Sequence, residues 1–285
     1  MSGAAELPRK SNRFSRIGLA HAERLHIVGS PRSGTTLLAE MMATCFRFDA
    51  HAPHEMSIFK RPEREVGLFC SKNPQDVLVA RPLLAIDPNL WLIYVIRDPR
   101  DVTVSRHGKA PDRYWANLRI WKQYHRAGRR LMGHPRCMAA RYGSRARSRR
   151  RPGQADGEVS VLERLHAFSD FHETARPSEG SLKALRGVRP VSGDSIGAWR
   201  RHKPRVAAQL GMHGPISGEL AALGYEPDDR WLAELSGVMP DNQQSFLNEK
   251  TTMKFRHKVV VHRATGYLRY LFGLHKRAPV CRHED

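Results

Sequence analysis

Two short stretches of this 285-residue chain carry residue types that grip oxyanions. The first is VGSPRSGTTL, Val28–Leu37. A strand that turns sharply into a helix exposes successive backbone N–H groups and the positive end of the helix dipole, which makes an anion site before any side chain counts. Gly34 lets backbone approach an oxyanion, Arg32 adds a charged fork, and Ser33, Thr35 and Thr36 add short hydroxyl donors. The spacing is almost that of a GxxxxGK[ST] phosphate loop, but Thr35 stands where the lysine belongs. A triphosphate-hydrolysing loop needs that lysine at the β- and γ-phosphates, and an acidic strand end to hold Mg²⁺.

The second stretch is VIRDPRDVTVS, Val95–Ser105. Arg97 directly ends an apolar run, so its charge must face the open carboxyl edge of a sheet, where α/β proteins bind ligands. Asp98 and Asp101 follow, but beside Arg97 and Arg100 they read as paired rather than metal-directed. A kinase or NTPase is therefore disfavoured, and a second phosphate site at Arg97 is favoured.

The elements that must position these groups follow from hydrophobic periodicity. Arg24–Ser30 reads as a short buried strand; Leu37, Leu38, Met41, Met42 and Cys45 then recur at helical spacing. Glu65–Pro74 reads as a second strand, QDVLVARPLLAI as a helix kinked or broken at Pro82, and Leu90 onward as the clearest buried strand. A helix over Val102–His107, a longer aromatic-bearing helix and a fourth strand at Cys137–Tyr142 complete an alternating pattern. That pattern predicts an α/β fold, a P-loop-like parallel sheet flanked by helices in a single domain. EVSVLERLHAF, IGAWRRHKPRVAAQL and ISGELAALGY read as further helices. The expected layout is a basic N-terminal extension at 1–24, the α/β domain at 25–235 with an arginine-rich insertion at 144–157, and a basic C-terminal tail at 236–285.

Composition bounds the partners. Forty-eight Lys+Arg against 28 Asp+Glu give a net charge of +20, a field that attracts nucleic acid, phosphorylated cofactors, acidic membranes or acidic substrates alike. A nucleic-acid-binding protein remains a rival reading, but no zinc-finger, RNP or recognition-helix signature accompanies the charge, so no specific nucleic acid is expected. The C-terminal VVVHRATGYLRYLFGLHKR could lie on an anionic bilayer or dock as a helix. Cys45, Cys70, Cys137 and Cys281 lie far apart, indicating neither a zinc site nor a disulfide framework. Free thiols, no secretory h-region and no apolar run near the ~18 residues of a membrane span give the expectation of a cytoplasmic protein. Oligomeric state leaves no trace in the sequence.

Taken together, GSPRSGTTL, VIRDPRDVTVS, CSKNP before a helix, SIGAWRRH and ALGYEPD resemble the PAPS-dependent sulfotransferases, in particular a bacterial branch similar to tyrosylprotein sulfotransferases. The resemblance covers roughly Leu25–Tyr142 and Ser195–Asp228. It implies PAPS as co-substrate and sulfuryl transfer to a hydroxyl or amine without a metal. Arg32, Ser33, Gly34, Thr35, Thr36 and Leu37 would hold the 5′-phosphosulfate. Arg97 and Ser105 would hold the 3′-phosphate, with Ser195 a further contact. Arg32 and Lys72 match the family's cationic positions, and Glu55 the position of its general base, a role for which His54 and His51 are rivals. Trp199 reads as core rather than an adenine platform. The acceptor, a small molecule, glycan, lipid or peptide hydroxyl, would be met by residues 51–64, 106–117 and 166–190.

Two departures stand out. The family's arginine–lysine–glycine cluster is replaced by Ser192, Gly193 and Asp194, and MAARY runs into arginine-rich sequence rather than an acidic turn. That run could be a nucleic-acid patch, an insertion or a stretch read out of frame. The whole reading requires both oxyanion sites on one face, close enough for a single nucleotide.

Overall fold

Strand β1 (Glu23–Gly29) lies at the middle of the protein, paired in parallel on both sides. The structure, a computed structural model, describes residues 23–107, 110–143, 162–247 and 253–282. After β1 come α1 (Thr35–Cys45), β2 (Ala50–Glu55), β3 (Lys60–Pro62), β4 (Leu68–Lys72), α2 (Ala80–Ile86) and β5 (Leu90–Ile96). Then follow α3 (Pro99–Thr103), β6 (Arg106–His107), β7 (Ala110–Tyr114), α4 (Leu118–Arg129) and β8 (Cys137–Arg141). Helices α5 (Phe171–Thr174), α6 (Glu179–Leu185), α7 (Lys203–His213), α8 (Ser217–Ala222) and α9 (Met253–Leu271) precede β9 (Lys276–Ala278) and β10 (Cys281–Arg282). The six-stranded sheet runs β10-β2-β4-β1-β5-β8, parallel except for β10, which pairs antiparallel with β2. This is the expected mostly parallel α/β architecture, with helices against the sheet.

Period-two alternation sorts β5 onto two cores. Leu90, Leu92, Tyr94 and Ile96 face a cluster with Leu83 and Leu84 of α2, Leu131 and Tyr270; Ile93 and Val95 face Leu25, Ile27, Met42 and Phe48. A third cluster joins Val102, Trp121, Val206 and Leu220 with Trp199 and Trp231. Trp199 is thus core, its ring edge-on to Trp231, and the Arg100 guanidinium lies over both rings.

Polar residues interrupt β1 at Arg24 and His26, both fully buried, and each is satisfied. The Arg24 guanidinium donates to Ser71 Oγ at 3.0 Å and to the carbonyls of Ile58 and Lys60 at 2.7 and 2.9 Å. His26 meets Ser71 Oγ at 2.7 Å and Asp76 Oδ2 at 3.1 Å, and Asp76 also accepts the Ile58 N–H. This network fastens β1 and β4 to the chain running from β2 to β3.

The structure refines the sequence reading at several places. The helix expected over Val102–His107 starts at Pro99 and ends at Thr103, because Asp98 caps the Arg100 N–H with Pro99 in the first turn; Arg106 and His107 form a hairpin strand instead. The stretch QDVLVARPLLAI is split, as Pro82 suggested: a 3-10 turn over Pro74–Leu78 stops at Val79, and α2 starts afresh at Ala80 with Pro82 in its first turn, where a missing N–H costs nothing. The described part of EVSVLERLHAF is not helical: Arg47 N–H bonds the Glu163 carbonyl and Leu165 N–H the Cys45 carbonyl, so this chain runs extended past the end of α1. The segment set apart as a basic tail packs into the fold through Tyr270 and β10. The arginine-rich 144–157 and most of the N-terminal extension lie outside the described residues. Among the described residues no helix is long and apolar enough to cross a membrane.

Burial pushes His26, His125 and His275 down to about 4, outweighing the Asp76 carboxylate beside His26. Above the ordinary histidine pKa of about 6.5 both folded and unfolded chains are neutral at these rings, so they leave stability unchanged. Below it the unfolded chain takes up protons that the folded chain refuses, so stability falls as pH drops, by up to about 1.4 kcal/mol per pH unit for each ring. Urea midpoints should therefore decline steadily from pH 6.5 towards 4; a flat profile there would show these rings charged in the folded protein.

Candidate active site

The turn from β1 into α1 has left-handed backbone at Arg32 (φ 68°) and Gly34 (φ 97°). The first helical bond is Leu38 N–H to the Gly34 carbonyl at 3.0 Å, which leaves the N–H groups of Thr35, Thr36 and Leu37 without a carbonyl inside the helix. Arg32, Gly34, Thr35, Thr36 and Leu37 line a cavity of about 1040 Å³ at the carboxyl ends of the strands. Ser33 does not reach it with its hydroxyl: the side chain is fully buried and donates to the Ser30 carbonyl at 2.8 Å, holding the turn from inside.

The second motif reaches the same cavity. Arg97 Nη1 donates to the Arg32 carbonyl at 3.0 Å and Nη2 to the Ser195 carbonyl at 2.8 Å. Arg32 Nε donates to Ser105 Oγ at 3.0 Å, so the loop and the Arg97–Ser105 segment are joined twice. Both oxyanion motifs therefore share one face. Neither Arg32 nor Arg97 has a carboxylate within ion-pair distance among the described residues. Burial first, then repulsion from Arg97 and Arg186, lowers the Arg32 pKa to about 10, so it stays charged at neutral pH while crowded by like charge.

Lys72 enters from the end of β4, beside the loop. Its ammonium is buried and donates to Thr36 Oγ1 at 3.0 Å and Glu55 Oε1 at 3.1 Å. Burial lowers its pKa, partly offset by the Glu55 carboxylate. This places a cation at the helix start from a neighbouring strand, where a Walker loop would supply one from position 35. Glu55 ends β2 with its side chain 45% exposed, on the cavity wall. His54 lines the cavity as well, whereas His51 sits against Glu40 and Cys70 in a separate small void. Asp98 is bound to the Arg100 guanidinium at 2.7 Å, and Asp101 accepts the N–H groups of Gly197 and Trp199 at 2.9 and 3.0 Å. Both acids have structural work, as their arginine neighbours suggested for Asp98.

Sequence reasoning missed Tyr142, Arg186 and Arg189. Tyr142 follows β8; its ring lies under the Arg97 guanidinium at 4.7 Å, and its hydroxyl meets Ser195 Oγ at 2.9 Å. A Cβ on Gly34 would come within 2.6 Å of that ring. Tyr142 thus closes loop, arginine and Ser195 into one unit, and its only sequence signal is its place one residue past a strand. Arg186 and Arg189 line the cavity after α6, where the family-like cluster is missing from 192–194. All three stretches expected to meet the acceptor reach the wall, for instance at His54, Trp115 and Lys183.

Residues 22–114 match the family model described as a sulfotransferase domain. This stretch is similar to sulfotransferase domains. It runs from β1 through β7 and contains Arg32, Glu55, Lys72, Arg97 and Ser105; Tyr142, Arg186 and Ser195 join the cavity from beyond it. No curated protein matches the chain.

Substituting Gly34→Ala tests the loop geometry. Left-handed backbone at a residue with a Cβ, together with the Tyr142 contact, should cost about 1–3 kcal/mol in urea unfolding. Gly133→Ala, also left-handed but with open space around it, isolates the backbone part of that cost.

Proposed function

We propose that the chain moves a sulfuryl group from PAPS to a hydroxyl or amine acceptor. One observation carries this reading: Arg32 and Arg97, which have no carboxylate partner among the described residues, are joined backbone to guanidinium beside a helix N-terminus on a single cavity. So much uncompensated positive charge in one cleft calls for a multiply charged anion. A nucleotide with phosphate-type groups at both ends of its ribose fits two such sites a short span apart. A Mg²⁺-nucleotide site is less well supported, because Asp98 and Asp101 are already engaged.

PAPS would supply the activated sulfuryl group, its bond from sulfur to the 5′-phosphate oxygen breaking as the bond to the acceptor forms, and adenosine 3′,5′-bisphosphate leaving. The N–H groups of Thr35, Thr36 and Leu37 with Arg32 hold the phosphosulfate end. Arg97 and Ser105, with Ser195 nearby, hold the 3′-phosphate end. Lys72, aimed along Thr36, stabilises negative charge that gathers on the oxygens during transfer; donors fixed in advance act strongly in a site shielded from water. Glu55, on the cavity wall and tied through Lys72 to the start of α1, takes the acceptor's proton. The acceptor is a hydroxyl of a small molecule, glycan, lipid or peptide, entering past His54, Trp115 and Lys183.

Thermal shift separates this reading from its rivals, since a ligand bound to the native state raises apparent stability by mass action. Adenosine 3′,5′-bisphosphate should raise the melting temperature and ATP–Mg²⁺ should not; Arg97→Ala should abolish the response. A shift with ATP–Mg²⁺ alone would sink the proposal in favour of an NTPase. With labelled PAPS and an acceptor panel, Glu55→Gln should keep the bisphosphate response while transfer falls by about 10²–10⁴-fold. Undiminished transfer would move the base to His54.

A further inference from the structure

Helix α9 is apolar on two sides. Its inner side brings Gly266, Tyr267 and Tyr270 to the core: Tyr270 is fully buried, and the Tyr267 hydroxyl donates to the Val79 carbonyl at 2.6 Å. A Cβ on Gly266 would come within 2.7 Å of the Phe59 ring, so the approach is close and the orientation fixed. A surface helix normally turns polar residues outward. Here the outer side carries Val261, Leu268 and Leu271, with Phe272 and Leu274 just past the end. Leu268, Phe272 and Leu274 are 53%, 69% and 67% exposed, which is more than scattered apolar surface explains.

These side chains are held in place. The helix closes in a Schellman turn: Leu274 N–H donates to the Arg269 carbonyl at 2.8 Å and Gly273 N–H to the Tyr270 carbonyl at 3.4 Å, with Gly273 left-handed at φ 69°. Such turns commonly pack the residue after the glycine back onto the helix, yet Leu274 points to solvent. Two residues later β9 pairs with β3, so the turn is anchored on both sides.

Cations surround the patch. Arg269 and Lys276 are exposed and have no carboxylate partner among the described residues, and Arg277 donates only to the Pro62 carbonyl. The net charge of +20 sets a second copy of the chain against itself at such a patch, and residues 1–22 and 144–157 of the same chain are cationic too. Charge complementarity selects an anionic surface, and the interleaved leucines and phenylalanine select one with hydrocarbon just beneath its charges. We propose that the end of α9, around Leu268, Phe272 and Leu274, docks the protein on an anionic lipid bilayer. The apolar side chains enter the boundary between headgroups and acyl chains, and Arg269 and Lys276 lie among the phosphates. This surface is separate from the cavity and does not depend on the function proposed for it.

The test is cosedimentation of the full chain with vesicles of phosphatidylcholine alone, and with phosphatidylglycerol added, at physiological salt. The chain should bind the anionic vesicles and leave the neutral ones. Phe272→Ser with Leu274→Ser should weaken that binding at least about tenfold without changing the melting temperature, since both side chains are exposed. Arg269→Glu with Lys276→Glu should weaken it through charge alone. Two results overturn the proposal. The first is undiminished binding by the serine variant, which would show unspecific attraction of a basic protein. The second is failure to bind anionic vesicles, with or without a dimer that the serine variant dissolves.

Discussion

The site depends on where one guanidinium is held. Arg97 leaves the end of β5, gives one N–H to the Arg32 carbonyl in the loop after β1 and another to the Ser195 carbonyl, and rests on the Tyr142 ring. Its own carbonyl accepts from the Trp121 indole, so the arginine is fixed at its backbone as well as its tip. Each contact is neutral-to-cation, and none cancels the charge. The fold thereby keeps a positive centre at the sheet edge instead of burying it in an ion pair, as it does with Arg61 and Asp87 or with Arg100, Asp98 and Glu226. A carboxylate beside Arg97 would make a more stable resting protein and a poorer anion site.

Beneath the cavity, the strand ends stay in register because β1 is polar where a central strand is usually apolar. Arg24 and His26 bind Ser71 on β4, and Asp76 just beyond it, so the two strands that deliver the loop and Lys72 are locked side by side. Buried polar networks that are fully satisfied specify geometry strongly, because any slip leaves several groups unpaired. Lys72 reaches Thr36 only if β4 ends level with the start of α1. Chemistry at the rim is thus tied to hydrogen bonding in the interior.

The sequence was legible wherever local pattern dictates structure. The apolar runs of β1 and β5 announced a parallel sheet, and the Gly34 turn and the strand-ending Arg97 announced two groups that the structure brings to one cavity. What stayed hidden was set by contacts distant in the chain. Tyr142 is an ordinary aromatic until folding brings it under Arg97 and against Gly34. Arg186 and Arg189 look like any others in a basic chain. Ser33 seemed a donor like its neighbours, but the turn points its hydroxyl inward. The helix expected over Val102–His107 failed because the Asp98 cap drew its start upstream, a choice that periodicity cannot see. No local signal marks the extended path past Arg164, which depends on the end of α1.

The sheet's two margins differ, and that has a practical consequence. On one side β10 seals β2; on the other, β8 has a strand on one flank only among the described residues, with Met138 largely in solvent. An unsealed margin of this kind is a template on which another chain can lay a strand. Mutual repulsion between highly cationic copies opposes that growth at low ionic strength, and screening removes the opposition. Concentrated salt, a common means of keeping basic proteins free of nucleic acid, would therefore bring copies together along β8.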